Sequence, residues 1–131
     1  MIKKILIVDD DQAIIDLLFN LSAKFFEQAE IIIAQSKEKA LAIISSMKDI
    51  DLAIIEFSIG SIFSRQTVRV NGLEVASQIK RLSTAKLIVL TSVSQVKKEF
   101  TAIGADYFIN SNFDSKKLSA VFSELNQQPA P

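Results

Sequence analysis

The sequence lacks the residues on which several common chemistries depend. It contains no cysteine and no histidine. It therefore has no disulfide framework and no thiol nucleophile, and it lacks both the commonest metal ligand and the commonest general base at neutral pH. Its 15 basic and 15 acidic side chains balance, which argues against a basic surface for binding nucleic acid.

Long apolar runs are also missing. The hydrophobic runs have the length of β-strands and are interrupted by charged residues such as Lys48, Asp49 and Asp51, so none is long enough to span a membrane. The start of the chain, Met1-Ile2-Lys3-Lys4, leads through a short apolar stretch into three aspartates, which a secretory signal would not contain. We therefore expect a cytoplasmic, bacterial-type protein without membrane contact.

The 131 residues, 49% of them hydrophobic, suffice for one domain with one buried core. Short β-branched runs alternate with longer amphipathic segments. The runs predict strands at 3–8, 29–34, 52–56, 87–91 and 107–109. Because these runs are nearly continuously apolar, they are typical of a parallel sheet that is buried on both faces.

Apolar residues at helical spacing follow each predicted strand. The five sets are Ile14, Leu17, Leu18, Leu21 and Phe25; Ala40, Ile43, Ile44 and Met47; Leu73, Ala76, Ile79 and Leu82; Val96, Phe100 and Ile103; and Leu118, Val121, Phe122 and Leu125. Asp11 and Ser36 are predicted helix caps. This (βα)₅ pattern predicts right-handed crossovers with helices on both faces of the sheet. Ligands of such folds bind at the carboxyl ends of the strands.

Acidic and hydroxyl side chains stand at three predicted strand ends. Asp9-Asp10-Asp11 follow the first strand, Glu56 ends the third and Thr91 ends the fourth. A turn followed by a helix cap would account for the aspartate triplet without any function. No glycine-rich phosphate loop follows the first strand, so nucleotide binding is disfavoured.

Over about residues 3 to 125 the chain resembles the receiver domain of two-component response regulators. The matching segments are Ile5–Asp10, Asp51–Glu56, Asn71–Val75, Leu90–Ser92 and Gly104–Asp106. The resemblance implies a flavodoxin-like α/β fold with five parallel strands in the order 2-1-3-4-5. It also implies a non-enzymatic signalling role, with an output domain, a kinase or another signalling protein as partner and a homodimer as a further option.

The resemblance divides the chain into a receiver domain, 1–125, and a linker or disordered tail, 126–131. It also assigns roles in an acidic pocket. Asp9, Asp10, Glu56 and the backbone carbonyl of Ser58 would hold Mg²⁺, which takes hard oxygen ligands and is the one cofactor implied. In the family the third-strand acid is an aspartate that accepts a phosphoryl group, and Thr91 would hydrogen-bond a phosphoryl oxygen.

Several positions depart from the family pattern. The acceptor is Glu56, one methylene longer than aspartate, and a misplacement of about 1 Å can cost a hundredfold in a positioned reaction. Ser111 stands where the family has a lysine, which removes a charge that would stabilise the transferring group. Asn112 replaces a proline that is typically cis, so we expect a trans peptide and a different loop path. The aromatic switch position aligns with Phe108, and a one-residue slip would place Tyr107 there.

Without the lysine, the repulsion between the clustered carboxylates must be offset. Two charges about 4 Å apart repel by about 4 kcal/mol at an effective dielectric constant of 20. A bound cation, a shared proton or a new basic side chain would each offset this repulsion. The alternative is that Glu56 turns toward solvent.

The segment from about 57 to 71, after the third strand, is longer than in the family pattern. We predict that it forms a lid over the pocket and that Arg65 or Arg69 supplies the missing positive charge. The alternatives are a mobile surface loop and a short hairpin formed by Thr67-Val68-Arg69-Val70 and presented to a partner.

Three functions follow from this reading. The first is an atypical receiver, or pseudo-receiver, in or derived from a phosphorelay, which acts as a protein-interaction and regulatory module without phosphorylation of Glu56. Its output face would lie at about 94–125, where Phe100, Phe108 and Phe113 either line the surface or belong to the core. The second is a receiver that is phosphorylated on Glu56 or a nearby acid. The third is a haloacid-dehalogenase-like phosphatase built on the aspartate triplet.

Overall fold

The computed structural model describes residues 1–57, 65–91, 96–110 and 115–127, and only the backbone of 65–71. Strands and helices alternate along the chain, as the apolar pattern predicts. The elements are β1 (Lys4–Val8), α1 (Gln12–Phe25), β2 (Glu30–Ala34), α2 (Lys37–Ser46), β3 (Leu52–Glu56), α3 (Arg65–Leu82), β4 (Lys86–Leu90), α4 (Lys97–Ile103), β5 (Tyr107–Ile109) and α5 (Ser115–Gln127).

The five strands form one parallel sheet in the order β2-β1-β3-β4-β5. The predicted flavodoxin-like α/β fold is therefore confirmed. The direction of strand addition reverses at β1, which lies between β2 and β3. Ligand sites of doubly wound sheets lie at the carboxyl ends of the strands beside such a reversal, and the predicted acidic residues follow these strands.

The sheet is buried on both faces because successive side chains of each strand point to opposite sides. In β1, Leu6 and Val8 pack with α2, α3 and α4, whereas Ile5 and Ile7 pack with α1 and α5. This explains why the strands are continuously apolar in sequence. One residue of the predicted α1 stripe departs from the pattern, since Leu17 is 40% exposed.

Both predicted helix caps are present. The Asp11 carboxylate accepts a hydrogen bond from the Ala13 amide at 2.9 Å, at the start of α1. The Ser36 hydroxyl accepts one from the Lys39 amide at 3.2 Å, at the start of α2. Each cap satisfies an amide that the first turn of a helix leaves without a partner.

The structure corrects the expected loop at 57–71, because α3 already begins at Arg65. The hairpin proposed for Thr67–Val70 is wrong, since these residues are helical. Once the downstream part of a helix has formed, each added residue needs no new nucleation, and a β-branched residue costs only about 0.5 kcal/mol relative to alanine. Both prolines of the chain lie at its end, so none interrupts α3.

Gly72 lies inside α3 and is required by its packing. A Cβ atom at this position would lie 2.9 Å from the carbonyl oxygen of Phe57. Only glycine allows so close an approach of the two backbones. The resemblance assigns the Asn71-Gly72 segment to the opening of the third helix. In the structure this segment lies within α3, where the helix approaches the end of β3 most closely at Gly72.

At the other end of the chain, α5 continues through Gln127, two residues into the segment predicted to be a tail. The Asn126 side-chain amide donates a hydrogen bond to the Phe25 carbonyl at 3.1 Å, which joins the last turn of α5 to the end of α1. Residues 128–131 lie outside the described part of the chain.

Candidate functional site

The three polar strand ends meet at one edge of the sheet. Val8 pairs with Ile55, which places Asp9 beside Glu56, and Glu56 itself pairs with Leu90, the residue before Thr91. The backbone amide of Thr91 donates a hydrogen bond to the Ile109 carbonyl at 2.9 Å, which ties this residue to the neighbouring β5. The structure thus places the residues that the sequence predicts as a site at the carboxyl ends of neighbouring strands.

Asp9 is the buried acid of this edge, with 1% of its surface exposed. Its Oδ1 accepts a hydrogen bond from the Asp11 amide at 2.9 Å, whereas Oδ2 is buried and has no hydrogen-bond partner among the described residues. Burial raises the pKa of the Asp9 carboxyl to about 6 against the opposing effect of the Asp11 amide, and the charges of Asp10 and Asp11 raise it further.

A buried carboxylate oxygen without a partner is costly unless it gains a proton or a cation. Within the described part of the chain, Asp9 Oδ2 is such an atom. Carboxylate oxygens like those of Asp9, Asp10 and Glu56 suit Mg²⁺. The donors therefore fit the metal that the resemblance implies. Within the described residues, no three acidic side chains already stand close enough together to form a complete metal cluster.

The other acids are more exposed than Asp9. Asp10 and Asp11 face solvent, Glu56 is half-buried and Thr91 is 8% exposed. The carboxylate of Asp11 is used as the cap of α1. This arrangement separates one buried acid from solvent-facing acids beside it, which the sequence alone could not distinguish.

Phe57 was not singled out by sequence reasoning, yet it holds the end of β3 in place. Its amide donates a hydrogen bond to the Leu90 carbonyl at 2.9 Å, and its carbonyl abuts Gly72 of α3. Its ring meets the Phe100 ring edge-on, with centroids 5.8 Å apart and planes at 82°. The residue after Glu56 is thus bound to β4, α3 and α4 at once.

The alternation of β5 separates the two candidates for the aromatic switch position. Phe108 packs on the side of α2, α3 and α4, whereas Tyr107 packs on the side of α1 and α5. Burial raises the pKa of the Tyr107 hydroxyl, and Glu124 of α5 raises it further. Phe108 instead lies below Lys97 of α4, whose Nζ is 5.5 Å from the ring centroid. Lys97 is a second contact that sequence reasoning missed.

Phe100 does not line an output surface, because it is completely buried in the core. The other residues predicted for the site lie outside the described part of the chain: Ser58, Ser111, Asn112, Phe113 and the side chains of Arg65 and Arg69. The roles assigned to them stay predictions. None of the described helices is long and apolar enough to cross a membrane.

Structural comparison gives the same architecture. A CheY-like response regulator receiver domain protein from Methanospirillum hungatei JF-1 superposes with a TM-score of 0.76 at 26% identity, covering 96% of this chain and 94% of the other. The signal receiver domain of a DNA-binding response regulator protein from Colwellia psychrerythraea 34H gives a TM-score of 0.78 at 20% identity, covering 96% and 99%.

Sequence comparison identifies the family. The transcriptional regulatory protein YvrH of Bacillus subtilis (strain 168) is 30% identical over 118 residues, which cover 88% of this chain. The chain spans less than half the length of that relative, 46%. The family of response regulator receiver domains matches residues 5–123. Since this match covers well over half of the chain, the chain belongs to the response regulator receiver domains of two-component signalling.

Proposed function

We propose that this chain is an atypical receiver, or pseudo-receiver, that acts as a protein-interaction and regulatory module without phosphorylation of Glu56. The observation that carries the proposal is the glutamate at the end of β3, in register between Asp9 and Thr91. The serine at position 111, where the family has a lysine, supports it.

The backbone around Glu56 leaves little room to absorb the extra methylene. The Phe57 amide donates a hydrogen bond to the Leu90 carbonyl, and the Phe57 carbonyl lies so close to Gly72 that a Cβ atom there would be 2.9 Å from its oxygen. The β3 strand end therefore cannot withdraw from the pocket, so the longer side chain places its carboxylate further out than an aspartate would. Phosphoryl transfer depends almost entirely on positioning and on electrostatic stabilisation. Glu56 is therefore a poor acceptor.

If Mg²⁺ binds, Asp9, Asp10, Glu56 and the Ser58 carbonyl would hold it, and it would supply positive charge to the acidic edge. This assignment is supported by Asp9 Oδ2, which is buried and has no hydrogen-bond partner in the ranges that the structure describes. The Asp11 amide holds the other oxygen of that carboxylate and so orients it. A cation at this position would offset the repulsion that the missing lysine leaves.

The part of the predicted lid before α3, at 58–64, lies outside the described residues, and the two arginines belong to the start of that helix. The helical backbone places Arg65 and Arg69 about one turn apart. The start of α3 follows the carboxyl end of β3 in the chain, which supports Arg65 or Arg69 as the source of the missing positive charge.

The partner is another signalling protein: an output domain, a kinase or a second copy of the chain. The relative named a transcriptional regulatory protein is about twice the length of the matched region, which supports an output domain joined to a receiver. We place this module in the cytoplasm, where phosphorelay partners act.

The test is incubation with acetyl phosphate and Mg²⁺, followed by intact-mass measurement. We expect no adduct on the natural chain. The double variant Glu56→Asp with Ser111→Lys restores both family residues and should gain a phosphoryl adduct at position 56, which makes it the positive control. A stable adduct that maps to Glu56 in the natural chain would favour the phosphorylation-competent alternative instead.

The phosphatase alternative loses its main support. An Asp-x-Asp pair would use Asp9 and Asp11, but the Asp11 carboxylate is bonded to the first amides of α1. Turnover of a generic phosphate ester by the natural chain would reinstate this alternative.

A further inference from the structure

The strand β2 forms one edge of the sheet, and among the described strands it pairs with β1 alone. Proteins commonly keep an edge strand from pairing with other chains by making it short or by placing lysine or proline in it. The opposite edge, β5, has only three residues. By contrast β2 has five residues, contains neither lysine nor proline, and leaves Ile31, Ile32 and Ile33 partly exposed. Its free side, called the open edge below, is therefore suited to the addition of another strand.

The backbone groups of β2 alternate between β1 and the open edge. The Glu30 amide donates a hydrogen bond to the residue before β1, and the Ala34 carbonyl accepts one from the residue after it. Since the backbone groups of alternate residues point the same way along a strand, Ile32 also faces β1, whereas the N–H and C=O groups of Ile31 and Ile33 point outward. These two residues lie symmetrically about Ile32. An antiparallel copy of the strand, with Ile32 on a two-fold axis, would therefore pair each Ile31 with an Ile33 of the other copy.

An exposed aromatic side chain of α1 extends the apolar surface of the open edge. Phe19 is 41% exposed and follows Gln12 by two helical turns, so both lie on the same side of α1. Gln12 accepts a hydrogen bond at 3.1 Å from Gln35, the residue after β2, which shows that this side faces β2. Leu17 is equally exposed, at 40%, but it belongs to the opposite side of α1, on the stripe that leads to Phe25 and its ring contact with α5.

Opposite charges stand at the two ends of the open edge. At the amino end of β2, the Glu30 side chain is 61% exposed and only 3.9 Å from the Lys4 ammonium. Beyond the carboxyl end, Lys39 is exposed in the first turn of α2. Lys37 forms an ion pair with α3, so Lys39, two residues further, projects from the other side of α2, above the open edge. The antiparallel copy would set Glu30 opposite Ala34 of the second molecule, beside the start of its α2 and its Lys39.

We propose that the open edge of β2 binds a second copy of this chain, through antiparallel pairing of the two β2 strands about a two-fold axis at Ile32. The occupant is a second copy because the edge is complementary to itself: its outward backbone groups and its opposite charges each meet their counterparts twice. The inference rests on the proposed function, which names a second copy among the partners. The contact uses no group of the acidic edge, so it forms without phosphorylation. A five-residue strand pair is a small interface, so the dimer is a weak one.

The first experiment measures association and amide hydrogen exchange of the natural chain at about 20 µM and about 1 mM, which bracket the affinity of a small interface. Sedimentation should show a dimer that grows with concentration. The amides of Ile31 and Ile33 should exchange more slowly at the higher concentration, because the second strand bonds them. The amides of Ile32 and Ala34, which face β1, should be protected at both concentrations. This alternation distinguishes strand pairing from contact through any other face.

Variants of α1 test which side of the helix takes part. Phe19→Ala removes an exposed aromatic beside the open edge and should weaken the dimer about tenfold. Leu17→Ala removes an equally exposed side chain from the opposite side of the same helix and should leave the dimer unchanged, which makes it the matched control.

A charge exchange tests the two ends of the edge. Glu30→Lys and Lys39→Glu should each weaken the dimer about tenfold, because each loses both symmetric ion pairs at once. The double variant restores opposite charges and should recover the affinity of the natural chain.

Three results would overturn the inference. The first is a monomer at every concentration, which would leave the edge to a strand of another protein. The second is a dimer without slower exchange at Ile31 and Ile33, which would assign association to another face. The third is an equal effect of Phe19→Ala and Leu17→Ala. An acetyl phosphate adduct on Glu56, with the alternation in β2 intact, would reject the proposed function alone.

Discussion

The acidic side chains at the two edges of the sheet differ in their hydrogen bonding. The amino edge is formed by the first residues of the parallel strands, and the carboxyl edge by their last residues. At the amino edge, Asp51 accepts hydrogen bonds from the amides of Lys3 and Lys4 at 2.8 and 3.0 Å. Asp106 accepts from the Leu87 amide at 2.8 Å and lies 3.3 Å from the Lys80 ammonium. At the carboxyl edge, Asp9 is buried, its Oδ2 has no hydrogen-bond partner among the described residues, and its pKa is raised.

The acids at the two edges therefore differ in how fully their oxygens are hydrogen-bonded. Buried polar groups are normally hydrogen-bonded, yet it is the more exposed carboxylates of the amino edge that have their partners. A buried acid with a perturbed pKa is more typical of a binding or reacting site. The unfavourable burial of a carboxylate therefore falls at the carboxyl edge, where a cation or a proton would offset it.

The largest effect is expected from Gly72→Ala, which disturbs the carboxyl edge through α3. The new Cβ would lie 2.9 Å from the Phe57 carbonyl oxygen, so a backbone must shift, at a cost of about 3 kcal/mol in the free energy of unfolding. Urea denaturation measures the loss. Ser77→Ala, at an exposed position of the same helix, is the control and should be neutral or slightly stabilising. A neutral Gly72→Ala would contradict the close packing.

The second prediction concerns the pH dependence of stability. The pKa of Asp9 rises from 3.8 to about 6 on folding, so the folded chain binds this proton more tightly than the unfolded chain. The resulting stability is fully present below about pH 4 and is lost as the pH rises through 6, a change on the order of 2 kcal/mol.

The measurement is urea denaturation between pH 4 and 7 in metal-free buffer. Asp9→Asn keeps the side chain neutral and should flatten this part of the profile, whereas Asp10→Asn, at the exposed neighbouring acid, should leave most of the slope. Identical slopes in Asp9→Asn and the natural chain would show that Asp9 is not the titrating group.

The smallest effect is expected at the amino edge, from Asp51→Ala. The change leaves the amides of Lys3 and Lys4 without their acceptor and should cost about 1–2 kcal/mol in the free energy of unfolding. The control is Asp49→Ala, which removes a contact to the Lys4 ammonium at the surface and should cost much less. Equal losses would show that the two amides gain little from Asp51.

Much of the fold could be predicted from the sequence, because strands that are buried on both faces of a sheet consist of continuous apolar runs. The runs at 52–56 and 107–109 coincide with β3 and β5, since continuous β-branched residues suit a sheet that is covered on each side. The start of α3 could not be predicted in the same way. Local preferences at Thr67–Val70 favour a strand, but continuity with the helix beyond them outweighs these preferences.

The sequence predicts which residue types stand at the site, but it does not predict whether each side chain is buried or which face of the sheet it lies on. Asp9 and Asp10 are chemically identical and adjacent, yet one is buried and the other exposed. Phe108 and Tyr107 are neighbouring aromatics on opposite faces of β5. Such differences depend on which elements pack above each position, and these elements lie far away in the sequence.

The sequence by itself determined the succession of strands and helices along the chain and the identity of the acids at the strand ends. Hydrophobic periodicity and residue chemistry are local properties. The tertiary structure alone decided that the Asp9 carboxyl loses its solvent, that Gly72 meets Phe57 and that Lys97 meets Phe108. Desolvation and packing arise only when distant segments come together, and they set the pKa of Asp9 and the contacts of Gly72 and Lys97.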